Sequence, residues 1–347
     1  MPRRVLVTGG AGYIGAHVVL SLVRAGYAPI MVDSLINGSA SVGPRLARLT
    51  GNEIPLVVAD VRDRVALSRL FADHRIDAVV HCAGLKSVAE SEAQPLLYYD
   101  NNVRGAIVLA LAMRDAGVEM LVFSSSASVY GQPERNPVAE DMPVHPANVY
   151  GRTKRTIELV FESLARADGS WRIALLRYFN PAGADASGEI GESPARAPTN
   201  LVPILADVAL GQRAHVEIFG DDYATPDGTG IRDYIHVTDL AEGHVAALRH
   251  LERESGCMTL NLGLGRGASV REVISAFERA CGRSLPQRIA PRRPGDVGCY
   301  YADPARANAV LGWRATRGLD EICSDAWRWA ARDARAQGTR KSTSTGL

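Results

Sequence analysis

This sequence lacks the features that mark several large protein classes. No stretch reaches the roughly 18 apolar residues needed to span a bilayer, so no membrane helix is expected. Arg3 and Arg4 precede the apolar run Val5-Leu6-Val7, but Thr8-Gly9-Gly10-Ala11-Gly12 interrupts it at once. A secretory signal needs a longer apolar core. The five cysteines, Cys82, Cys257, Cys281, Cys299 and Cys323, form no CxxC pair and no Cys/His cluster. That argues against a zinc site and against a disulfide framework, and predicts a reduced cytoplasmic protein. His236 and His244 lack metal-ligand spacing and read as structural, so no metal is assigned. Neither sign of charge is in excess: 39 Lys+Arg face 38 Asp+Glu, a net charge of +1. Nucleic acid is thereby disfavoured as a partner, although a few arginines suffice for a local anion site. Internal repeats are absent.

What is present is ample material for a core: 347 residues, 46% hydrophobic and 22% charged. That length predicts two domains, or one large domain with a smaller lobe. Apolar runs at Val5–Thr8, Pro29–Asp33, Leu56–Ala59, Ala78–Cys82 and Met120–Ser124 alternate with helical patterns at Ile14–Ala25, 63–73 and 94–116. A further helix is expected near 150–164 and a further strand at Trp171–Tyr178. Alternation of this kind predicts an α/β fold: a doubly wound parallel sheet with helices on both faces. From Pro181 to Gly230 the composition turns to Gly, Pro, Ala, Asp and Thr, with one helix near 201–211. This reads as a separate α/β lobe. Helices follow at 238–251, 269–281 and about 318–330. The polar stretch 332–347 reads as a disordered tail.

The run Val5–Gly15 places glycines between a strand and a helix. Gly10-x-Gly12-x-x-Gly15 and Gly9-x-x-Gly12-x-x-Gly15 both fit the dinucleotide fingerprint. Glycine lets the backbone turn tightly and approach a pyrophosphate, and the following helix offers N–H groups and its positive end. A plain tight turn would share the glycines, but it would not require Asp33. That acid ends the second strand 18 residues after Gly15. There it can hold the ribose hydroxyls and repel a 2′-phosphate, which favours NAD over NADP.

Tyr150-Gly-Arg-Thr-Lys154 puts a phenol and an ammonium on one helix face. The lysine is expected to lower the tyrosine pKa, fitting it for acid/base work near neutral pH. Upstream, Ser124–Gly131 lies at a strand's carboxyl end, where ligands of open α/β sheets bind. Either motif alone would be weak; together they predict chemistry on a hydroxyl.

Seven strings together resemble the extended short-chain dehydrogenase/reductase family: Thr8–Gly15, His81–Lys86, Tyr99–Val103, Ser124–Gly131, Tyr150–Lys154, Arg177–Pro181 and Asp227–His236. The last two narrow the resemblance to epimerases that invert C4 of UDP-hexoses. It covers about Arg3 to Ala330. It implies a Rossmann domain at 1–180 with about 232–262, and a UDP-sugar lobe at 181–231 with 263–330. By matching positions, Gly9, Gly12, Tyr13, Ile14, Gly15, Asp33, Asn37, Asp60, Val61, Cys82, Ala83, Gly84, Lys86, Asn101 and Phe179 would line NAD, together with Ser126, Tyr150 and Lys154. Tyr150 would be the base, Lys154 its electrostatic partner and Ser126 the contact to the sugar 4-hydroxyl. Lys86, Asn180, Asn200, Leu201, Phe219, Arg232, Tyr234, Arg293, Asp296 and Tyr300 would bind the sugar nucleotide. Arg232 and Arg293 also suit a diphosphate on their own chemistry, since a guanidinium pairs with phosphate in a fork. One position departs: Cys82 stands where bacterial members carry an aromatic residue, which bears on the adenine-side packing.

The implied activity is interconversion of UDP-glucose and UDP-galactose through a 4-keto sugar, with NAD recycled in place. A 4,6-dehydratase of the same superfamily would need acids just after Ser126, where Ala127 and Ser128 stand. A non-catalytic NAD sensor would have no use for Tyr150 and Lys154. The resemblance further implies a homodimer through the helices near 94–116 and 149–166, with Leu109, Met113, Ile157, Val160 and Phe161 expected on its face. It also implies that Tyr300 borders the hexose C2 substituent and excludes N-acetylated sugars by its bulk.

Overall fold

A computed structural model describes residues 2–193, 197–293 and 295–344, the last eight of these by backbone alone. The chain opens with β1 (Arg4–Thr8), α1 (Tyr13–Arg24), β2 (Ala28–Asp33), α2 (Val42–Thr50), β3 (Leu56–Val58), α3 (Arg64–Asp73) and β4 (Ala78–His81). There follow α4 (Val88–Ala93), α5 (Pro95–Tyr98), a π-helical turn at Tyr99–Arg104, α6 (Gly105–Asp115) and β5 (Met120–Ser124). Next come α7 (Val149–Ala167), β6 (Arg172–Tyr178), β7 (Asn180–Ala182), α8 (Leu201–Ala209), β8 (Val216–Phe219), β9 (Ile231–Arg232) and β10 (Tyr234–His236). The chain closes with α9 (Val237–Leu251), β11 (Gly256–Leu262), β12 (Ala268–Ser269), α10 (Val270–Cys281), β13 (Gln287–Ala290), β14 (Cys299–Tyr300), α11 (Ala305–Leu311) and α12 (Leu319–Ser344).

Seven strands form one sheet in the order β11-β6-β5-β4-β1-β2-β3. Every pairing in it is parallel. The fold is therefore the expected Rossmann-type doubly wound α/β. Alternate residues of β1 enter opposite layers: Val5 and Val7 join α1 and α9 on one face, while Leu6 joins α3, α6 and α7 on the other. Both faces are covered, which is why the strands read as unbroken apolar runs. A third core of Val202, Leu205, Val273, Phe277, Ile322 and Cys323 binds α8, α10 and α12 together. Small sheets β7–β10, β12–β9–β14 and β8–β13 surround it. Among the described residues no helix is long and apolar enough to cross a membrane.

Three expectations change. The final helix runs on to Ser344, so 332–344 is helix where a disordered tail was expected. Its extension is anchored at its start: Asp333 pairs with Arg45 at 2.8 Å, and Arg332 pairs with Glu189. Residues 345–347 lie outside the described residues. Strand β11, not anticipated, completes the sheet beside β6. Finally, Leu109, Met113, Ile157 and Phe161 do not face outward; all four lie in the core under the sheet, and Val160 is only half-buried. The exposed apolar residues of this region are Leu96, Leu97, Tyr99, Ile107 and Leu159.

Candidate active site

Order in the sheet reverses at β1, which opens a crevice between β1 and β4 at their carboxyl ends. Gly9 takes φ +66° there, and a Cβ on it would lie 2.8 Å from the Ala83 nitrogen. A Cβ on Gly15 would lie 2.1 Å from the Gly9 carbonyl oxygen, and the Gly12 N–H donates to that same oxygen at 3.0 Å. Helix α1 then starts with no side-chain cap and no acid in its first turn, which leaves its opening N–H groups to an anion. Tyr13 reaches across to donate to the Gly183 carbonyl at 2.7 Å, while Ile14 packs on the core. Asp33 is buried at the end of β2 and accepts from Ala11 N–H at 3.0 Å and Leu35 N–H at 2.8 Å. Burial raises its carboxyl above the usual range. A Cβ at Gly38 would come within 2.8 Å of its Oδ1, so the following loop closes over it. The glycine cradle, the uncapped helix and the acid therefore fit a dinucleotide.

Other proposed cofactor contacts are placed less directly. Asn37 is exposed on the loop after Asp33. Asp60 gives its carboxylate to Arg62, with Oδ2 at 2.6 Å from Nη2, and that pairing holds it below its ordinary value. Val61 is buried against Gly105. Asn101 is half-buried in the π-helical turn, whereas its neighbour Asn102 is buried and clamps Leu85, accepting from its N–H at 2.8 Å and donating to its carbonyl at 3.0 Å. The sequence reading missed Asn102, which fixes the loop after Gly84.

Ser126 caps the short turn Ala127–Val129, its Oγ accepting from Ser128 N–H at 3.1 Å. Tyr150 stands in the first turn of α7, which Asn148 caps by accepting from Gly151 N–H at 2.8 Å. Ser126 lies near its hydroxyl and favours the phenolate form. One turn on, Lys154 donates to the Ser124 carbonyl at 2.7 Å, and its Nζ lies 5.9 Å from the Tyr150 ring centre. The expected lowering of the phenol pKa is not found. Burial raises Tyr150 above its ordinary value, with the nearby Ser126 hydroxyl opposing, because Lys154 commits its ammonium to a carbonyl instead. Burial also pulls Lys154 down to about 8, opposed by Cys82 and Glu158.

Cys82 is the position that departs from the resembled family. It lies 3.3 Å from Ser124 Oγ, with burial pushing its thiol up to about 11. Strand β4 adjoins β5, so the departure sits beside Ser124 at the carboxyl end of β5.

The lobe delivers the remaining residues. Phe179 is buried and packs against Tyr300 with ring centres 5.0 Å apart. The Tyr300 hydroxyl donates to the Ala127 carbonyl at 2.5 Å, next to Ser126. Tyr300 pairs in register with Arg232, which binds Asp296 at 3.2 Å. Arg293 covers the Phe219 ring at 3.8 Å. Tyr234 is buried opposite Asn180, whose side chain is exposed, as is Asn200 ahead of Leu201. Lys86 is largely exposed and pairs with Glu192 at 2.7 Å, 6.0 Å from the Tyr13 ring. Asp233, also missed, is fully buried and accepts from Leu264, Gly265 and Ala302 N–H groups at 2.8, 3.0 and 3.2 Å, with burial raising it to about 6. His236 and His244 are buried and hydrogen-bonded, as structural histidines should be.

Residues 5–263 match the NAD dependent epimerase/dehydratase family. The chain belongs to this family. It is 51% identical to the UDP-glucose 4-epimerase of Neisseria meningitidis serogroup B over 330 residues, 95% of this chain and 97% of that one. Against the Bacillus subtilis UDP-glucose 4-epimerase it is 51% identical over 94% of this chain and 96% of the other. Its fold superposes on a UDP-glucose 4-epimerase from Stenotrophomonas maltophila, solved with NAD and formylated UDP-arabinopyranose, with TM-score 0.95 and 50% identity over 96% and 99% of the two chains. A Bifidobacterium longum UDP-glucose 4-epimerase solved with NAD+ and UDP gives TM-score 0.92 and 46% identity over 95% and 99%.

Proposed function

We propose that the chain is an NAD-dependent UDP-glucose 4-epimerase that interconverts UDP-glucose and UDP-galactose. The observation that carries this reading is the buried Tyr150 beside the buried Ser126, with Lys154 one turn away and held by the Ser124 carbonyl, at the mouth of a glycine cradle suited to a dinucleotide. The C4 hydrogen of a hexose is not acidic, so inversion has to pass through a ketone. NAD supplies the hydride acceptor and donor for that passage. The chain's own residues handle the proton: Ser126 hydrogen-bonds the 4-hydroxyl, and Tyr150 takes its proton and later returns it. Lys154 stabilises the transient phenolate from within the same helix face. Because burial keeps the resting phenol protonated, the phenolate forms only as the proton moves. Gly9, Gly12 and Gly15 cradle the pyrophosphate of NAD, and Asp33 takes its ribose.

Arg232 and Arg293 grip the diphosphate of the substrate. The Asp296 carboxylate that now faces Arg232 keeps that guanidinium aimed into the site. Tyr300 offers an aromatic face to the hexose, and such a face holds a ring without directional bonds, leaving it free to turn over, while Phe179 packs beside the nicotinamide. Residues 1–180 with about 232–262 form the NAD-binding part, and 181–231 with 263–330 the sugar-nucleotide lobe. Two copies assemble through the exposed Leu96, Leu97, Tyr99, Ile107 and Leu159. Five free thiols suit a reducing cytoplasm.

The test is direct. Purified protein is assayed for bound NAD(H) after acid release, then for conversion of UDP-galactose to UDP-glucose without added NAD. Stoichiometric NAD and turnover are expected. NAD-loaded protein that leaves UDP-galactose unchanged refutes the assignment.

A further inference from the structure

Behind the catalytic pair lies a buried carboxylate that the reaction as described does not use. Glu158 is fully buried on α7, four residues after Lys154 and eight after Tyr150, so all three share one helix face. It meets four donors. Ser125 Oγ donates to its Oε1 at 2.6 Å, and Arg177 Nε donates to the same oxygen at 2.9 Å. Arg177 Nη2 donates to Oε2 at 2.8 Å, and Arg155 Nη1 does so at 3.0 Å. Arg177 comes from β6 and is itself buried, with its guanidinium 4.9 Å over the Tyr130 ring. A carboxylate buried to this degree is tolerated only when its lone pairs are taken up, and here they are.

These bonds create a second fastening. Lys154 holds the carbonyl of Ser124, and Glu158 holds the hydroxyl of Ser125. The strand end that presents Ser126 is thus pinned to the helix that presents Tyr150 at two consecutive residues. Arg177 ties both to the neighbouring strand. Without the Glu158 link, Ser124–Ser126 could shift against α7, and acid/base transfer tolerates little misplacement.

We propose that Glu158 is a positioning residue for the epimerase reaction: through Ser125 and Arg177 it sets the approach of Ser126 to Tyr150, and its charge keeps the Lys154 ammonium in place. This rests on the function proposed above. Lys154 is faced by His81 and Cys82 at the end of β4, by Ser124 on β5, and by Tyr150 and Glu158 on α7. Tyr178 of β6 lies near Tyr150, Cys82 and Ser124 of the same cluster. Glu158 is the one carboxylate in this set, so its removal leaves Lys154 without an opposing anion.

The test compares Ser125→Ala and Glu158→Gln with the parent chain, all NAD-loaded, by kcat and KM for UDP-galactose across pH, NAD content and thermal midpoint. Ser125→Ala keeps the ion pair and loses only the fastening; kcat is expected to fall about tenfold with KM and NAD content held within about twofold. Glu158→Gln is expected to lower kcat further and to move the alkaline limb of the kcat profile to lower pH, a shift that loosened packing alone does not produce. Glu158→Gln leaves two arginines short of a partner; if it does not fold, Ser125→Ala decides alone. An active parent with an unchanged kcat in Ser125→Ala overturns the positioning role and leaves the epimerase assignment intact. So does a Glu158→Gln whose losses in kcat, KM and NAD content run in parallel with no pH shift. A parent without turnover overturns the epimerase assignment instead.

Discussion

Acidification is expected to unfold this protein earlier than its carboxylates alone would dictate. His17, His81 and His244 are all buried, and burial lowers them from about 6.5 to about 4, 3 and 4. His17 Nδ1 donates to the Tyr13 carbonyl at 2.8 Å and leaves Nε2 buried among the described residues with no partner. A proton added there has nothing to bond. The fold thus binds fewer protons than the unfolded chain once the pH drops below about 6.5. The histidine contribution is fully present above that value and is lost as pH falls towards 4. Each group costs about 1.4 kcal/mol per pH unit in that window. Asp233 works the other way: its folded value of about 6 lies above its ordinary 3.8, so it returns stability as pH falls. From pH 7 to 5.5, three histidines remove about 4 kcal/mol and Asp233 restores about 1, a net loss of about 3 kcal/mol. That is a large share of the roughly 5–15 kcal/mol typical of a folded protein. Urea unfolding at saturating NAD, repeated at pH 7, 6 and 5.5, measures it. His81→Asn should reduce the pH slope by about one proton whatever it does to absolute stability. An unfolding free energy flat across this range would refute the argument.

Other outcomes follow from the same geometry. Tyr150→Phe should cut kcat about 10²–10⁴-fold while NAD content persists, since it removes only a hydroxyl and keeps the buried ring; near-normal turnover would remove Tyr150 from the base role. The wild-type kcat should decline as pH rises through about 8, where Lys154 loses its proton. Lys154→Arg, slower but permanently charged, should lack that limb, and persistence of the limb would assign it elsewhere. Tyr300→Cys should raise kcat/KM for UDP-N-acetylgalactosamine relative to UDP-galactose by about tenfold or more, and equal use of both sugars by the wild type would reject the bulk argument. Light scattering should give a dimer that Leu96→Asp with Ile107→Asp converts to monomer; a wild type already monomeric at micromolar concentration would sink the interface.

Most of the Rossmann frame was legible because its signals are local. Strand, glycine turn and helix follow one another directly over Arg4–Arg24, and Asp33 is placed by the next strand. The resemblance had assigned about 232–262 to the Rossmann domain, but β11 was not legible as a strand, because its pairing depends on a return from the lobe to the edge of β6, a distance no local pattern encodes. The two neighbouring asparagines show a finer limit. A π-helical turn carries an extra residue per turn, so ordinary helical phase does not say whether Asn101 or Asn102 points inward. The Tyr150 pKa was misjudged for a similar reason. Spacing brings Tyr150 and Lys154 onto one face, but depth of burial and the pull of the Ser124 carbonyl arise only from the assembled sheet. Glu158 carried a signal that went unused, being one more helical step along the face that bears Lys154.

The late arrival of β11 bears on how the chain is made. During synthesis the first six strands leave the ribosome in order, yet the β6 edge that β11 will cover stays open until Leu262 has emerged. In the interval Arg172–Tyr178 offers unpaired backbone groups on a strand whose side chains at Ile173–Leu176 are wholly apolar and destined for burial. An edge of that kind is a template for pairing with another nascent chain. The roughly 80 residues between the two strands therefore set a period of vulnerability, at 5–20 residues per second a matter of seconds. A message cut short ahead of Gly256 would leave that edge permanently open, and its product would be a target for chaperones rather than a smaller working enzyme.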